Sequence, residues 1–90
     1  MMHPTKEKLI RYNDLRCMIC GKFLPYRYIE MHHILPKYVS KTLGTAPDDS
    51  YNNCALLCLQ CHKYVHEYDY WSKEYQDLMN VINQHKKPLP

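Results

Sequence analysis

The stretch Cys58-Leu59-Gln60-Cys61-His62-Lys63-Tyr64-Val65-His66 decides how this chain folds. Its two thiols are separated by two residues, the gap that lets both sulfurs turn toward one ion. A helix is expected from Leu59 to about Glu67, and it would carry His62 and His66 one turn apart on one face. Upstream, Cys17 and Cys20 repeat the same two-residue gap. Two matched pairs predict one closed structural zinc site that pins the ends of the intervening segment together. Cys54 is left over and reads as an ordinary small buried residue.

A chain of 90 residues predicts a single domain, residues 1–90, small enough to need such a staple. Nine tyrosines against one phenylalanine and one tryptophan suit a thin core under a wet surface. Residues 1–8 lack the apolar stretch of a secretory signal, and no apolar run approaches membrane-spanning length. The expected setting is therefore soluble and cytoplasmic, with no membrane partner. Thiols stay reduced there, which ranks zinc above a disulfide framework. The formal charge is +3; four thiolates and one Zn2+ bring it to about +1. Affinity for a polyanion must then come from where the charges sit rather than from their total.

The rest of the chain arranges itself around the two cysteine pairs. Residues 5–15 predict a short helix, with Leu9, Ile10 and Leu15 among charged neighbours. Residues 17–22 read as a zinc knuckle, in which Gly21 supplies the positive φ of a tight turn. Residues 26–34 suit a strand ended by Pro36, and residues 36–51 form the loosest stretch. A last helix is expected over 72–85, capped by Ser72, with an apolar stripe of Tyr75, Leu78, Met79 and Ile82.

His32 and His33 are adjacent, so on a strand they point to opposite faces: one can ligate a metal while the other meets a reacting group. In order, the chain reads Glu30-x-His32-His33-Ile34-x-Pro36, then Asn53-x-x-x-Leu57-Cys58-x-x-Cys61-His62-x-x-x-His66. This pattern resembles the HNH endonuclease family, in its zinc-knuckle-bearing branch. The likeness covers about residues 15–67, and the flanking helices have no part in it.

The resemblance implies a small α+β fold: a ββα-metal (His-Me finger) core with a four-cysteine zinc site of Cys17, Cys20, Cys58 and Cys61, flanked by N- and C-terminal helices. It implies metal-dependent hydrolysis of DNA phosphodiester bonds, leaving 5′-phosphate and 3′-hydroxyl ends. His33 corresponds to the general base, and an imidazole, with a reference pKa of ~6.5, can take a proton at cellular pH. His32 and His62 correspond to ligands of a catalytic divalent cation, Asn53 to the residue that orients His33, and His66 to a third metal-associated histidine. Many relatives carry a carboxylate where this chain has His32. An imidazole pair favours Zn2+, Ni2+ or Mn2+ over Mg2+. The partner implied is DNA, most simply double-stranded. Its cut sites would be chosen by a protein partner, a homodimer or a larger phage or mobile-element assembly.

Blander readings stand beside these. Glu30 is an outer partner of His32 or His62, or a strand-edge charge. Arg27, Lys37, Lys41 and Lys63 flank the site in sequence and are candidate phosphate contacts, although each alone is more commonly a solvated cation. Tyr26, Tyr28, Tyr38, Tyr64, Tyr68 and Tyr70 are candidates for stacking, with most expected to pack the core. His3 and His85 read as ordinary histidines, and Lys86-Lys87 as an ordinary helix end. The alternative function is a non-catalytic zinc module that binds nucleic acid, which would need none of His33, Asn53 and His62. A toxin-like nuclease held in check by a partner is a further one.

Overall fold

The computed structural model describes residues 3–89. Helix α1 (Pro4–Asn13) opens with proline in its first turn, where no amide is needed, and His3 Nδ1 accepts from the Thr5 amide at 3.1 Å. It stops short of the expected residue 15 because Asp14 turns to φ 65°, outside the helical region. The knuckle follows. Cys17 N donates to Lys22 O and Gly21 N to Cys17 O, both at 3.0 Å, with Gly21 at φ 77° as its role in the turn requires.

Strand β1 (Ile29–His33) is shorter than the stretch 26–34, because Tyr26–Tyr28 form a 3-10 turn behind Pro25. The loosest stretch is more ordered than its composition suggests. Pro36 starts a short helix, α2 (Lys37–Thr42), and buried Val39 anchors it before Gly44 turns the chain at φ 75°. Strand β2 (Cys54–Cys58) pairs antiparallel with β1. Helix α3 (Leu59–Val65) leaves β2 without a loop, capped by Cys58 Sγ, which accepts from Cys61 N at 3.3 Å. Helix α4 (Lys73–His85) is capped by Ser72 as expected, through its hydroxyl oxygen and the Tyr75 amide at 3.1 Å.

The ββα unit is thus β1, β2 and α3, and α1 packs along β2. Every residue of β2 is buried, including Cys54. Leu9, Ile29, Leu56, Leu57, Val65, Met79 and Ile82 form the centre of the core, so the stripe foreseen on α4 faces inward. At ~25 cal/mol per Å2 of apolar area, such side chains stabilise by about 1.5–3 kcal/mol each. Met18 N donates to Leu56 O at 2.9 Å, which joins the knuckle to the sheet.

Lys86-Lys87 is no ordinary helix end. Lys86 is half-buried, and its ammonium donates to Tyr51 O and, at 2.8 Å, to Cys54 O. Lys87 N donates to Asn13 Oδ1, and Tyr51 OH donates to Lys87 O. His85 Nδ1 lies 2.7 Å from Met18 O. These bonds tie the end of α4 to β2, α1 and the knuckle. Among the described residues, no helix is long and apolar enough to cross a membrane.

Candidate metal centres and catalytic histidines

Cys17, Cys20, Cys58 and Cys61 converge, with their four sulfurs within 4.8 Å of one another. Tetrahedral zinc at ~2.3 Å from each sulfur places sulfurs about 3.8 Å apart; Cys20 Sγ and Cys58 Sγ stand at 3.9 Å. The donor set therefore fits a structural metal such as zinc. Burial would raise the Cys17 thiol, but hydrogen bonds from the backbone amides of Cys58, Cys20 and Ile19 outweigh it and bring the pKa to about 7. The Cys61 thiol is pushed far up, by burial first and by its sulfur neighbours next. Deprotonating all four thiols together needs a dication at their centre. Cys54 stands apart from this cluster, and burial raises its thiol to about 11.

The second cluster is built by strand register and helix spacing. On β1, Glu30 and His32 share one face, and His33 projects from the other. His32 lies opposite Ala55, whose small side chain leaves room for a buried ring. Across from it, α3 brings His62 and His66 together, their ring centroids 4.6 Å apart. His32, His62 and His66 each offer a nitrogen within 4.8 Å of the others. Glu30 Oε1 accepts from His62 Nδ1 at 2.8 Å, which directs the His62 Nε2 lone pair toward His66 Nε2, 3.0 Å away. Ligands about 2.0–2.1 Å from a tetrahedral ion sit roughly 3.3 Å apart, so the pair fits a shared cation. Three protein donors leave one position open, unlike the closed thiolate site.

At His32 and His66 the surroundings favour the neutral imidazole, the form a metal needs. Burial, followed by the neighbouring rings of His62, His66 and His33, holds His32 down to about 3. His66 is lowered as well, by burial first and then by His62.

His33 faces away from this cluster. Its Nε2 lies 2.5 Å from Asp49 Oδ1, and the hydrogen bond with His33 lowers the pKa of that carboxyl below its usual value. Asn53 works on the backbone around His33 and does not touch its ring. Its Oδ1 accepts from Leu35 N at 2.9 Å, and its Nδ2 donates to Asp48 O at 2.8 Å. Ile34 N also donates to Asn53 O at 2.7 Å. Asn53 thereby clamps the loop bearing Asp48 and Asp49 to the end of β1.

Two residues of this site escaped the sequence reading, Asp49 and Tyr75. Asp49 sat in what read as a polar loop, and Tyr75 in what read as a packing stripe. The Tyr75 hydroxyl reaches His32 Nε2 at 2.9 Å. Of the candidate phosphate contacts, Lys37 and Lys41 border a cleft with Tyr38, Thr45 and Pro47, and Lys37 lies close enough to Asp49 to stabilise its charge. Arg27 is exposed on the turn before β1, and Lys63 is exposed beside His62. Tyr26, Tyr28, Tyr38 and Tyr64 are exposed, whereas Tyr68 and Tyr70 pack against the core.

The ββα unit thus carries a thiolate cluster and a histidine cluster, and α3 with its two cap residues contributes to both. The model of the HNH endonuclease family matches residues 17–67, more than half of the chain, and the protein belongs to that family. It is similar to the type IV methyl-directed restriction enzyme EcoKMcrA of Escherichia coli (strain K12), with 33% identity over 84 residues. That likeness takes in 87% of this chain and 27% of the relative, so the chain spans about a quarter of the relative's length.

Proposed function

We propose that residues 1–90 work as one cytoplasmic nuclease domain that hydrolyses phosphodiester bonds of double-stranded DNA, with His33 as general base. What supports this reading most is one juxtaposition: His32, in the histidine cluster, and His33, bound to a carboxylate, are neighbours on a single strand. A divalent cation held by His32, His62 and His66 would supply, when bound, positive charge to the scissile phosphate and the departing 3′-oxygen.

The chain's own residues do the rest. An ionised Asp49 carboxylate can only accept, so His33 Nε2 carries the ring proton and Nδ1 keeps a lone pair for the attacking water. General-base catalysis of this kind contributes about 10²–10⁴-fold. Asn53 holds the loop that carries Asp49, and so orients His33 indirectly. Glu30 keeps His62 in the tautomer that offers Nε2. Lys37 and Lys41, which line one cleft on α2, would neutralise phosphates in this reading, as would the exposed Arg27 and Lys63. The relative's methyl-directed recognition is not carried over, because the likeness leaves most of that protein unmatched.

The test is cleavage of supercoiled and linear DNA by the zinc-loaded protein with Mg2+, Mn2+, Ni2+ or Zn2+ supplied in turn. Wild type should nick or cut, and His33→Ala should lose at least 100-fold in rate while keeping its fold and its zinc. Absence of cleavage with every cation would reject the nuclease reading and leave a zinc module that only binds nucleic acid.

A further inference from the structure

Tyr75 stands on α4, outside the residues that match the family, yet its hydroxyl reaches the end of β1 and the residue that follows it. It lies 2.9 Å from His32 Nε2, 2.7 Å from Ile34 O and 3.5 Å from His33 O. A phenol has one proton to give, and a carbonyl can only accept. The short contact to Ile34 O takes that proton. Toward His32 the hydroxyl is left as an acceptor, so His32 Nε2 must be the nitrogen that carries hydrogen. A neutral imidazole has one N–H, and the lone pair then sits on Nδ1.

We propose that Tyr75 is a positioning residue that fixes the tautomer and ring orientation of His32, so that His32 takes the cation through Nδ1. The proposal rests on the reading that His32, His62 and His66 hold that cation. Two ligands of one site are thus set by different means. Glu30, two residues from His32 on the same strand, fixes His62 through Nδ1 and leaves Nε2 free. A phenol delivered from 43 residues away fixes His32 in the opposite sense. Burial strengthens the second arrangement, since His32 and Tyr75 are both only 2% exposed and water cannot substitute for either partner.

Tyr75→Phe removes the oxygen and keeps the ring that packs the core. In the full chain with its cysteine zinc loaded, titration with Co2+ or Ni2+ should give about 10–100-fold weaker binding at the histidine site. Zinc content at the four cysteines should not change. Long-range nitrogen–proton correlation spectra of 15N-histidine protein, without added cation at pH 7.5, should show wild-type His32 as the Nε2–H form and the variant as a mixture. A loss of packing alone would lower the melting temperature and leave the tautomer as it was. The proposal is overturned by a wild-type His32 in the Nδ1–H form, or by a folded Tyr75→Phe that binds cation within about twofold of wild type. If Tyr75→Phe does not fold, the wild-type spectrum decides by itself. None of these readouts involves DNA. Failure to cleave would therefore sink the nuclease reading without touching this one.

Discussion

A neutral imidazole has two nitrogens and one proton, so what a ring can do depends on which nitrogen its neighbour occupies. At His33 that neighbour is Asp49. Asp49→Ala should slow DNA cleavage by about 10–100-fold, inside the total that a general base contributes. Removing a negative charge beside the phosphate path would if anything tighten DNA binding, so a fall in kcat with KM unchanged or lower separates orientation from binding. At His32 the neutral form is enforced by burial and nearby rings, which hold it to about 3. A folded pKa below the unfolded value of ~6.5 gives stability that is in place above 6.5 and lost as pH falls toward 3. Urea unfolding of protein with its cysteine zinc loaded and no cation added at the histidine cluster should therefore weaken more steeply between pH 6.5 and 4 in wild type than in His32→Leu. The difference in slope should be up to ~1.4 kcal/mol per pH unit, and equal slopes would count against a buried neutral ring. The tandem His32-His33 and the His62/His66 pair were legible from short spacings alone, and Asn53 only through the resemblance to a family. Asp49 and Tyr75 were not, since each meets its histidine across 16 or 43 residues, and only the folded register brings them there.

At the scale of elements, the sequence marked helix starts and metal turns well and strand ends poorly. Ser72 and Gly21 act by local geometry, so their roles are readable from neighbours. The break between residues 28 and 29 is not, because Tyr26 and Tyr28 carry strand-like side chains while Pro25 starts a 3-10 turn. Helix α2 was hidden among turn-forming residues and exists because Val39 finds a buried site. The end of α4 was misjudged for a similar reason. Its Lys86 donates to carbonyls 35 and 32 residues away, which no local rule anticipates. Lys86→Met keeps the aliphatic stem but strands Tyr51 O and Cys54 O. It should cost about 1–3 kcal/mol in chemical denaturation. Lys87→Met, whose anchoring uses only backbone atoms, should cost much less. Equal losses would show that the ammonium bonds contribute little.

For the whole molecule, one comparison of magnitudes decides what the thiolate site is for. Structural zinc in small peptides contributes about 10–16 kcal/mol at neutral pH, whereas a domain's entire stability is about 5–15 kcal/mol. Chelation, or Cys58→Ser, should accordingly abolish cooperative unfolding, seen as loss of the near-ultraviolet dichroism of the buried tyrosines. A variant that stays folded without zinc would refute the staple. Cys58 would suffer most, because it ends β2, caps α3 and supplies a sulfur at once. That economy has a cost in sequence space. Strand, zinc and histidines are joined with no slack residue between Cys58 and His62. One inserted residue there would swing His62 and His66 about 100° around the helix axis, away from His32. Chain length has room to drift around Ala46 and Pro47, which are exposed and precede the clamped Asp48 and Asp49. Between Cys58 and His66 it is frozen, so substitutions there are open to selection while insertions and deletions are not.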